Sequence, residues 1–266
     1  MSAAEPEAAA LVRLETAGGL AELILDRAVK LNAMNAAMVD QLHGALDRLE
    51  GSAVRCLLLR AEGRAFSVGR DLVEADPAHE DGGAILRELF NPLMRRIAAL
   101  PQPTFAAVQG PCLGTGLGLA LACDIVYAAE DARIGSPFAR VGAVLDSGAH
   151  SAFVGRIGPH RTLELIYTGR LLSGREAADL GLVNASFPAG ELLARTREAA
   201  TAVASGPTTA FLESKRLVQR LSAEPLRLEE VLELEAQAQS RASLTHDYRE
   251  GIGAFQEKRE PHFTGR

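Results

Sequence analysis

Basic residues are in short supply in this sequence. Lys and Arg total 28 against 34 acidic residues in a chain of 266, a formal net charge of -6. Neither nucleic acid nor an anionic membrane is therefore expected as a partner, although a local basic patch for a phosphate is not excluded. Cysteine is also rare. Cys56, Cys112 and Cys123 are odd in number and sit in apolar runs without CxxC spacing, which argues against disulfides and zinc and for buried thiols in a reducing compartment. The six histidines, His43, His79, His150, His160, His246 and His262, share no metal-ligand spacing, and none has a GxSxG serine to pair with, so no metal site is expected. Residues 1–10 lack both the basic start and the apolar stretch of a secretory leader, so a frayed tail on a cytoplasmic protein is expected. The longest apolar run, 105–129, is broken by four glycines, Gln109, Pro111 and Asp124. Such a run suits a buried strand, turn, helix and strand better than a membrane span.

What is present is the composition of an ordinary soluble enzyme-sized chain: 47% hydrophobic and 23% charged residues, long enough to bury a substantial core. Val12 to Leu14 and Leu20 to Leu25 read as strands around a Gly18-Gly19 turn. Met38, Leu42, Leu46 and Leu49 recur at helical spacing, which predicts a helix over 35–50. Cys56 to Leu59 is a short apolar strand, and 76–83 an acidic surface segment. A helical stripe runs from Ile85 to Leu100, with Pro92 set to kink or restart it. Thr104 to Val108 reads as a strand, 110–118 as a glycine-rich turn, Leu119 to Cys123 as helix and Ile125 to Ala128 as a strand. The order of strand, glycine loop and helix occurs twice, from Leu57 to Leu72 and from Phe105 to Ala122, without a sequence repeat of fixed period. Ser173 and Glu176 make a capping box closed by Gly181. Beyond Gly206-Pro207 the chain reads as helical, with Leu228, Val231 and Leu232 on one apolar edge. The expected organisation is a tail over 1–10, an α/β core over 11–205 and a helical region over 206–266.

Two loops carry the chemistry. In Arg64-Ala65-Phe66-Ser67-Val68-Gly69-Arg70-Asp71-Leu72, a glycine just before a helix start leaves free N–H groups suited to an anion or a developing oxyanion. The same residues also suit a plain strand-to-helix turn with Asp71 as N-cap. In Gly110-Pro111-Cys112-Leu113-Gly114-Thr115-Gly116-Leu117-Gly118, alternate glycines admit either a ligand or close helix–strand packing. A dinucleotide site is disfavoured because Leu119 stands where GxGxxG needs its third glycine, and the Walker lysine is missing. Two such turns on separate strands can aim two N–H donors at one thioester oxygen, and losing one such donor costs about 3–4 kcal/mol of transition-state stabilisation.

The residues from Phe66 to Leu72, Ala106 to Gly116, Leu121 to Val126, Arg27 to Ala33 and Ala177 to Val183 resemble the signature of the crotonase superfamily, from about residue 11 to the C-terminus. The resemblance implies a crotonase-like spiral of repeated ββα units with a C-terminal helical oligomerisation region, assembled as a homotrimer or dimer of trimers. It implies that the N–H groups of Arg70 and Thr115 form an oxyanion hole. It further implies that Arg27, Lys30, Ser67, Val68, Gly69, Asp71 and Leu72 hold the CoA of an acyl-CoA, with Phe255 and Lys258 reaching the CoA of a neighbouring subunit. No cofactor is implied beyond the CoA carried by the substrate.

This sequence departs from the family's two-glutamate hydratases, whose acidic positions are Gly118 and Phe138 here. Asp146 remains, at a position similar to the single aspartate of family isomerases, in particular those converting epoxyphenylacetyl-CoA to oxepin-CoA. Asn91 to Ile97 and Asp247 to Gly265 are similar to that branch as well. An aspartate before Ser147-Gly148 is equally a helix N-cap. The apolar neighbours Val141, Ala143, Val144 and Leu145 instead favour a desolvated base. Gly116, Gly118, Phe138 and His150 are the expected pocket residues. The expected function is isomerisation of the epoxyphenylacetyl-CoA type. A linear Δ3,Δ2-enoyl-CoA isomerase and a non-catalytic acyl-CoA binder are the alternatives.

Overall fold

The computed structural model describes residues 10–73 and 75–266, so the expected tail over 1–10 lies, apart from Ala10, outside the described residues. Strands β1 (Val12–Ala17) and β2 (Leu20–Leu25) form an antiparallel hairpin, closed by Gly18 and Gly19, both at positive φ as a tight two-residue hairpin turn requires. Helix α1 (Ala36–Asp47) is capped by the Asn35 side chain, which accepts from the Met38 N–H at 3.1 Å, and it buries Met38, Val39, Leu42, Ala45 and Leu46. Strand β3 (Cys56–Ala61) follows. Then come α2 (Gly82–Ile85), a π-helical turn over Leu86–Phe90 and α3 (Asn91–Ala99) without a break. Pro92, in the first turn of α3, accounts for the π turn: lacking an N–H and crowding the carbonyl four residues back, it forces the ladder to widen ahead of it.

The chain continues through β4 (Thr104–Val108), β5 (Pro111–Leu113), α4 (Thr115–Leu121), β6 (Ile125–Ala129) and β7 (Arg133–Gly135). A 3-10 turn over Phe138–Val141 leads to α5 (Ala149–Thr168), which is kinked at Gly158-Pro159. Then follow β8 (Leu172–Ser173), α6 (Gly174–Asp179), β9 (Ala185–Phe187), α7 (Ala189–Ala204), α8 (Thr208–Ala223), α9 (Leu228–Ser243) and α10 (His246–Glu257). The fold is a mixed α/β one. Six strands lie in the order β1-β2-β3-β4-β6-β9, parallel except for the β1–β2 hairpin, and β5-β7-β8 form a second, smaller sheet. Parallel strands covered on both faces read as continuous apolar runs, and β4 is buried at every residue. Helix α7 packs over β3 and β4, and α1 against β1. Among the described residues no helix is long and apolar enough to cross a membrane.

Several expectations need correcting. Helix α4 starts at Thr115, not Leu119, so the glycine turn ends at Gly114 and two of its glycines lie inside the helix, where close packing overrides their poor helical propensity. No helix follows Leu72; the next begins at Gly82. Asp71 is therefore no helix cap but the partner of Arg27, at 2.6 Å. Asp146 does not cap α5 either. Gly148 occupies that place and contributes no side chain. The short strands β8 and β9 carry too few residues for a periodic signal. The capping box is present: Ser173 Oγ accepts from the Glu176 N–H and Glu176 Oε2 from the Ser173 N–H. All three cysteines are free and buried, and burial pushes the Cys56 and Cys123 thiols up to about 12.

Candidate active site

The loop after β3 is held as an extended segment between two others. The Met34 N–H donates to the Gly69 carbonyl at 2.8 Å and the Asp71 N–H to the Met34 carbonyl at 2.9 Å. On the other side the Ser67 N–H donates to Pro111 and the Leu113 N–H to Ser67, so the loop runs parallel to β5. Gly69, at φ +92, lies where a Cβ would stand 2.9 Å from the Leu113 carbonyl and 3.4 Å from the Thr115 nitrogen. A side chain would push the loops apart there. Arg70 follows Gly69 in the chain, so the backbones that carry the Arg70 and Thr115 N–H groups belong to two loops in close approach. Thr115 is the first residue of α4, where an N–H has no partner within the helix. Neither N–H donates to an acceptor among the described residues.

Both residues line a cavity of about 520 Å³, a size suited to a small-molecule group. Its walls are mostly apolar: Leu72, Ile85, Leu86 and Phe90 on one side, Phe138, Val141 and Val144 on the other. Leu86 and Phe90 come from the π turn, which re-aims side chains in the way such turns commonly do at functional sites. Arg70 and Asp146 are the charged residues that line it. The Arg70 guanidinium turns to Glu80 at 2.7 Å and holds that carboxyl below its usual range. Asp146 is thus the carboxylate that faces the cavity together with the two free N–H groups.

Its environment is unusual. Asp146 Oδ1 is buried and has no hydrogen-bond partner, and burial raises the carboxyl above its ordinary value, as desolvation of a charge requires. Ser147 and His150 act in the opposite direction, although the Ser147 hydroxyl closes no hydrogen bond. The Ala149 N–H donates to the Asp146 carbonyl at 3.0 Å, with Ser147 at φ +55 and Gly148 at φ +81. That is the mirror-image turn that glycine and asparagine favour. For serine the left-handed conformation costs about 1–2 kcal/mol. The turn presses on α4, where a Cβ on Gly118 would lie 2.3 Å from Ser147 Cβ and 2.6 Å from its carbonyl oxygen.

The other expected site residues are placed as follows. Val68, Gly69, Leu72 and Phe138 line the cavity; Gly116, Gly118 and His150 do not. The two glycines lie beneath it, Gly116 against Ser67 and Gly118 against Ser147, while His150 is exposed on the first turn of α5. Arg27 and Asp71 neutralise each other, and Arg27 Nη1 also donates to the Ala33 carbonyl at 2.8 Å. The buried Ser67 hydroxyl donates to the Asn32 carbonyl. Lys30 is exposed at the end of a 3-10 turn. Phe255 is 83% exposed on α10, Lys258 caps that helix, and neither lines the cavity. Sequence reasoning missed Asn32. Fully buried, it accepts from the Arg27 N–H and donates to the Glu62 and Ala65 carbonyls, tying the loops together. An asparagine between Leu31 and Ala33 was the available signal, since Asn tolerates the left-handed conformation it adopts at φ +53. Among the described residues no group of His, Cys, Asp and Glu is arranged to hold a metal ion.

Comparison with known proteins gives a consistent picture. The family model described as enoyl-CoA hydratase/isomerase matches residues 15–266. A Rhodobacter capsulatus protein named "probable enoyl-CoA hydratase" is 37% identical over 96% of this chain and 98% of its own. The 1,2-epoxyphenylacetyl-CoA isomerase of Escherichia coli is 36% identical over 93% of this chain and 96% of its own. The crystal structure of an enoyl-CoA hydratase from Bacillus anthracis superposes with a TM-score of 0.88 at 30% identity, covering 96% of this chain and 100% of that one.

Proposed function

The chain belongs to the enoyl-CoA hydratase/isomerase family, and within it we propose an acyl-CoA isomerase that stabilises a thioester enolate and moves the proton with one carboxylate, Asp146. The observation that carries this reading is the cavity's polar equipment: two unpartnered N–H groups, from Arg70 and Thr115, and one aspartate with a buried, unpartnered oxygen. The thioester oxygen sits between the two N–H groups. Asp146 takes the proton from the carbon next to the thioester, and the C–H electron pair becomes the enolate. Reprotonation by the same carboxyl at a more distant carbon returns the electrons and completes the shift, so one group serves as base and then acid. With a ring epoxide the same carboxyl assists ring opening. Substrates of the 2-(1,2-epoxy-1,2-dihydrophenyl)acetyl-CoA type are favoured, supported by likeness to the Escherichia coli isomerase. The aliphatic walls, Leu72, Ile85, Leu86, Val141 and Val144, also suit a linear Δ3-enoyl-CoA.

Hydration with two glutamates is disfavoured although several relatives are named hydratases. Gly118 has no room for a side chain, and Phe138 carries no proton. A merely binding role is disfavoured by Asp146 itself, since a buried carboxylate oxygen without a partner is costly to keep. In this reading CoA arrives with the substrate and nothing else is required, and the protein works in the cytoplasm. The segments 27–32 and 67–72 form the CoA channel, with Arg27 and Asp71 bracing its wall. Leu228, Leu232, Leu244 and Phe255, all exposed on α9, α10 and the loop between, would be covered in a homotrimer or dimer of trimers. Light scattering on the purified protein checks the assembly, with a monomer as the contrary result.

The activity test presents the protein with trans-3-hexenoyl-CoA, the ring epoxide and crotonyl-CoA. Isomerisation of either of the first two without hydration of crotonyl-CoA is expected. Crotonyl-CoA hydration as the dominant activity would overturn the proposal.

A further inference from the structure

Three buried side-chain oxygens lack partners among the described residues: Ser136 Oγ, Asp146 Oδ1 and Ser147 Oγ. Two of them stand on consecutive residues, of which Asp146 lines the cavity. Ser147 is buried and held at φ +55, a conformation that glycine would adopt without strain. Glycine is the residue at 118 instead, and Ser147 Cβ fills the space that a side chain there would need. A small polar residue is thus kept in a strained position, with its hydroxyl next to the carboxylate and no other acceptor.

We propose that Ser147 is the positioning residue of this site: its hydroxyl donates a hydrogen bond to the Asp146 carboxylate whenever that group is ionised, fixing which oxygen faces the substrate. The inference rests on Asp146 being the base. Both orphaned groups belong to one turn, anchored by the Ala149 N–H on the Asp146 carbonyl, and neither has another partner among the described residues. The bond is made in the charged state and released in the neutral one, so it steadies the carboxylate before proton abstraction and yields when Asp146 becomes the acid. The other charged groups near Asp146 do not take this part. His150 is exposed on α5, and Arg70, across the cavity, is paired with Glu80. Ser147 occupies the volume that a side chain at position 118 would fill, so the change that closes the site to a second carboxylate also supplies the hydroxyl that supports the first.

The test titrates the Asp146 carboxyl directly, by NMR of protein labelled with 13C at its aspartate carboxyl carbons. The Asp146 resonance is identified by its disappearance in D146N. Ser147→Ala is expected to raise the Asp146 midpoint by about one pH unit, and Ser147→Gly to raise it equally. The first variant keeps the backbone strain and the second relieves it, so a shift common to both reports the hydroxyl and not the turn. The acid limb of kcat against pH should move with the midpoint, with KM little changed. Midpoints equal to wild type in both variants would overturn the role of Ser147 and leave Asp146 as base untouched. Undiminished turnover by D146N would instead remove Asp146, whatever the serine does.

Discussion

At the scale of single residues, Asp146 carries two opposed demands. Its carboxyl is raised by burial, so the folded protein holds that proton more readily than the unfolded chain does. Ionising it as pH rises through the ordinary aspartate range, about 3.9, and on past the raised native value costs stability that is not recovered above that window. Asp146→Asn should therefore raise the melting temperature at neutral pH, with the gain fading at low pH, where both proteins are neutral at this position. Melting curves from pH 3 to 8 check it, and a destabilised variant at pH 7 would contradict it. Under the proposed mechanism the same shift sets the activity profile. Turnover should fall as pH drops through a midpoint above the usual aspartate value, since the base must be ionised. In the sequence, Asp146-Ser147-Gly148 is legible both as a cap and as a base. The alternatives separate only through φ: Ser147 and Gly148 both turn left-handed, the helix start slips past Asp146, and its side chain is left facing the cavity. Short-range residue preferences do not report that choice.

Among the elements, α4 shows best why part of the site was hidden. Alternate glycines read as a turn because glycine is a poor helix former. They are helical here because the helix lies against Ser67 on one side and Ser147 on another, with no room for a Cβ. That is a long-range fact, invisible to a local pattern. It also reverses a standard expectation. Gly→Ala inside a helix ordinarily gains up to about 1 kcal/mol, whereas Gly118→Ala should cost about 1–3 kcal/mol through overpacking and displace the turn bearing Asp146. Urea unfolding together with an activity assay measures both effects, and a stabilised, fully active Gly118→Ala would contradict this packing. The first glycine loop was legible in its glycine and its position after β3. The absence of a helix beyond Leu72 was not, because Asp71 is engaged by Arg27, a residue 44 positions away. Strong periodic elements such as α1 and β4 were readable, since one buried face or two dictates their pattern.

For the molecule as a whole, the parallel sheet places the ends of β3 and β4 side by side, and that neighbourhood turns two separate sequence loops into one site. Helix α8 is fastened to the sheet through Asp124. Its Oδ2 accepts from Lys215 Nζ at 2.7 Å and from the Thr104 N–H at 2.8 Å, and the Lys215 side chain is only 9% exposed. Asp124→Ala should leave that ammonium without a counter-charge and cost about 3 kcal/mol, read as a lower urea midpoint with weaker amide protection in α8. An unchanged midpoint would show that this ion pair adds nothing to what the remaining contacts of α8 provide, among them Lys215 Nζ on the Gln102 carbonyl and Gln219 on the Ala98 carbonyl. What the family shares is the scaffold; the proposed function turns on the carboxylate that faces the cavity, Asp146. The decisive measurement is therefore the rate of Asp146→Asn against wild type on the preferred acyl-CoA, with the dissociation constant measured in parallel. A loss of roughly 10²–10⁴-fold in kcat with unchanged binding is predicted, and wild-type turnover by the variant would contradict the account.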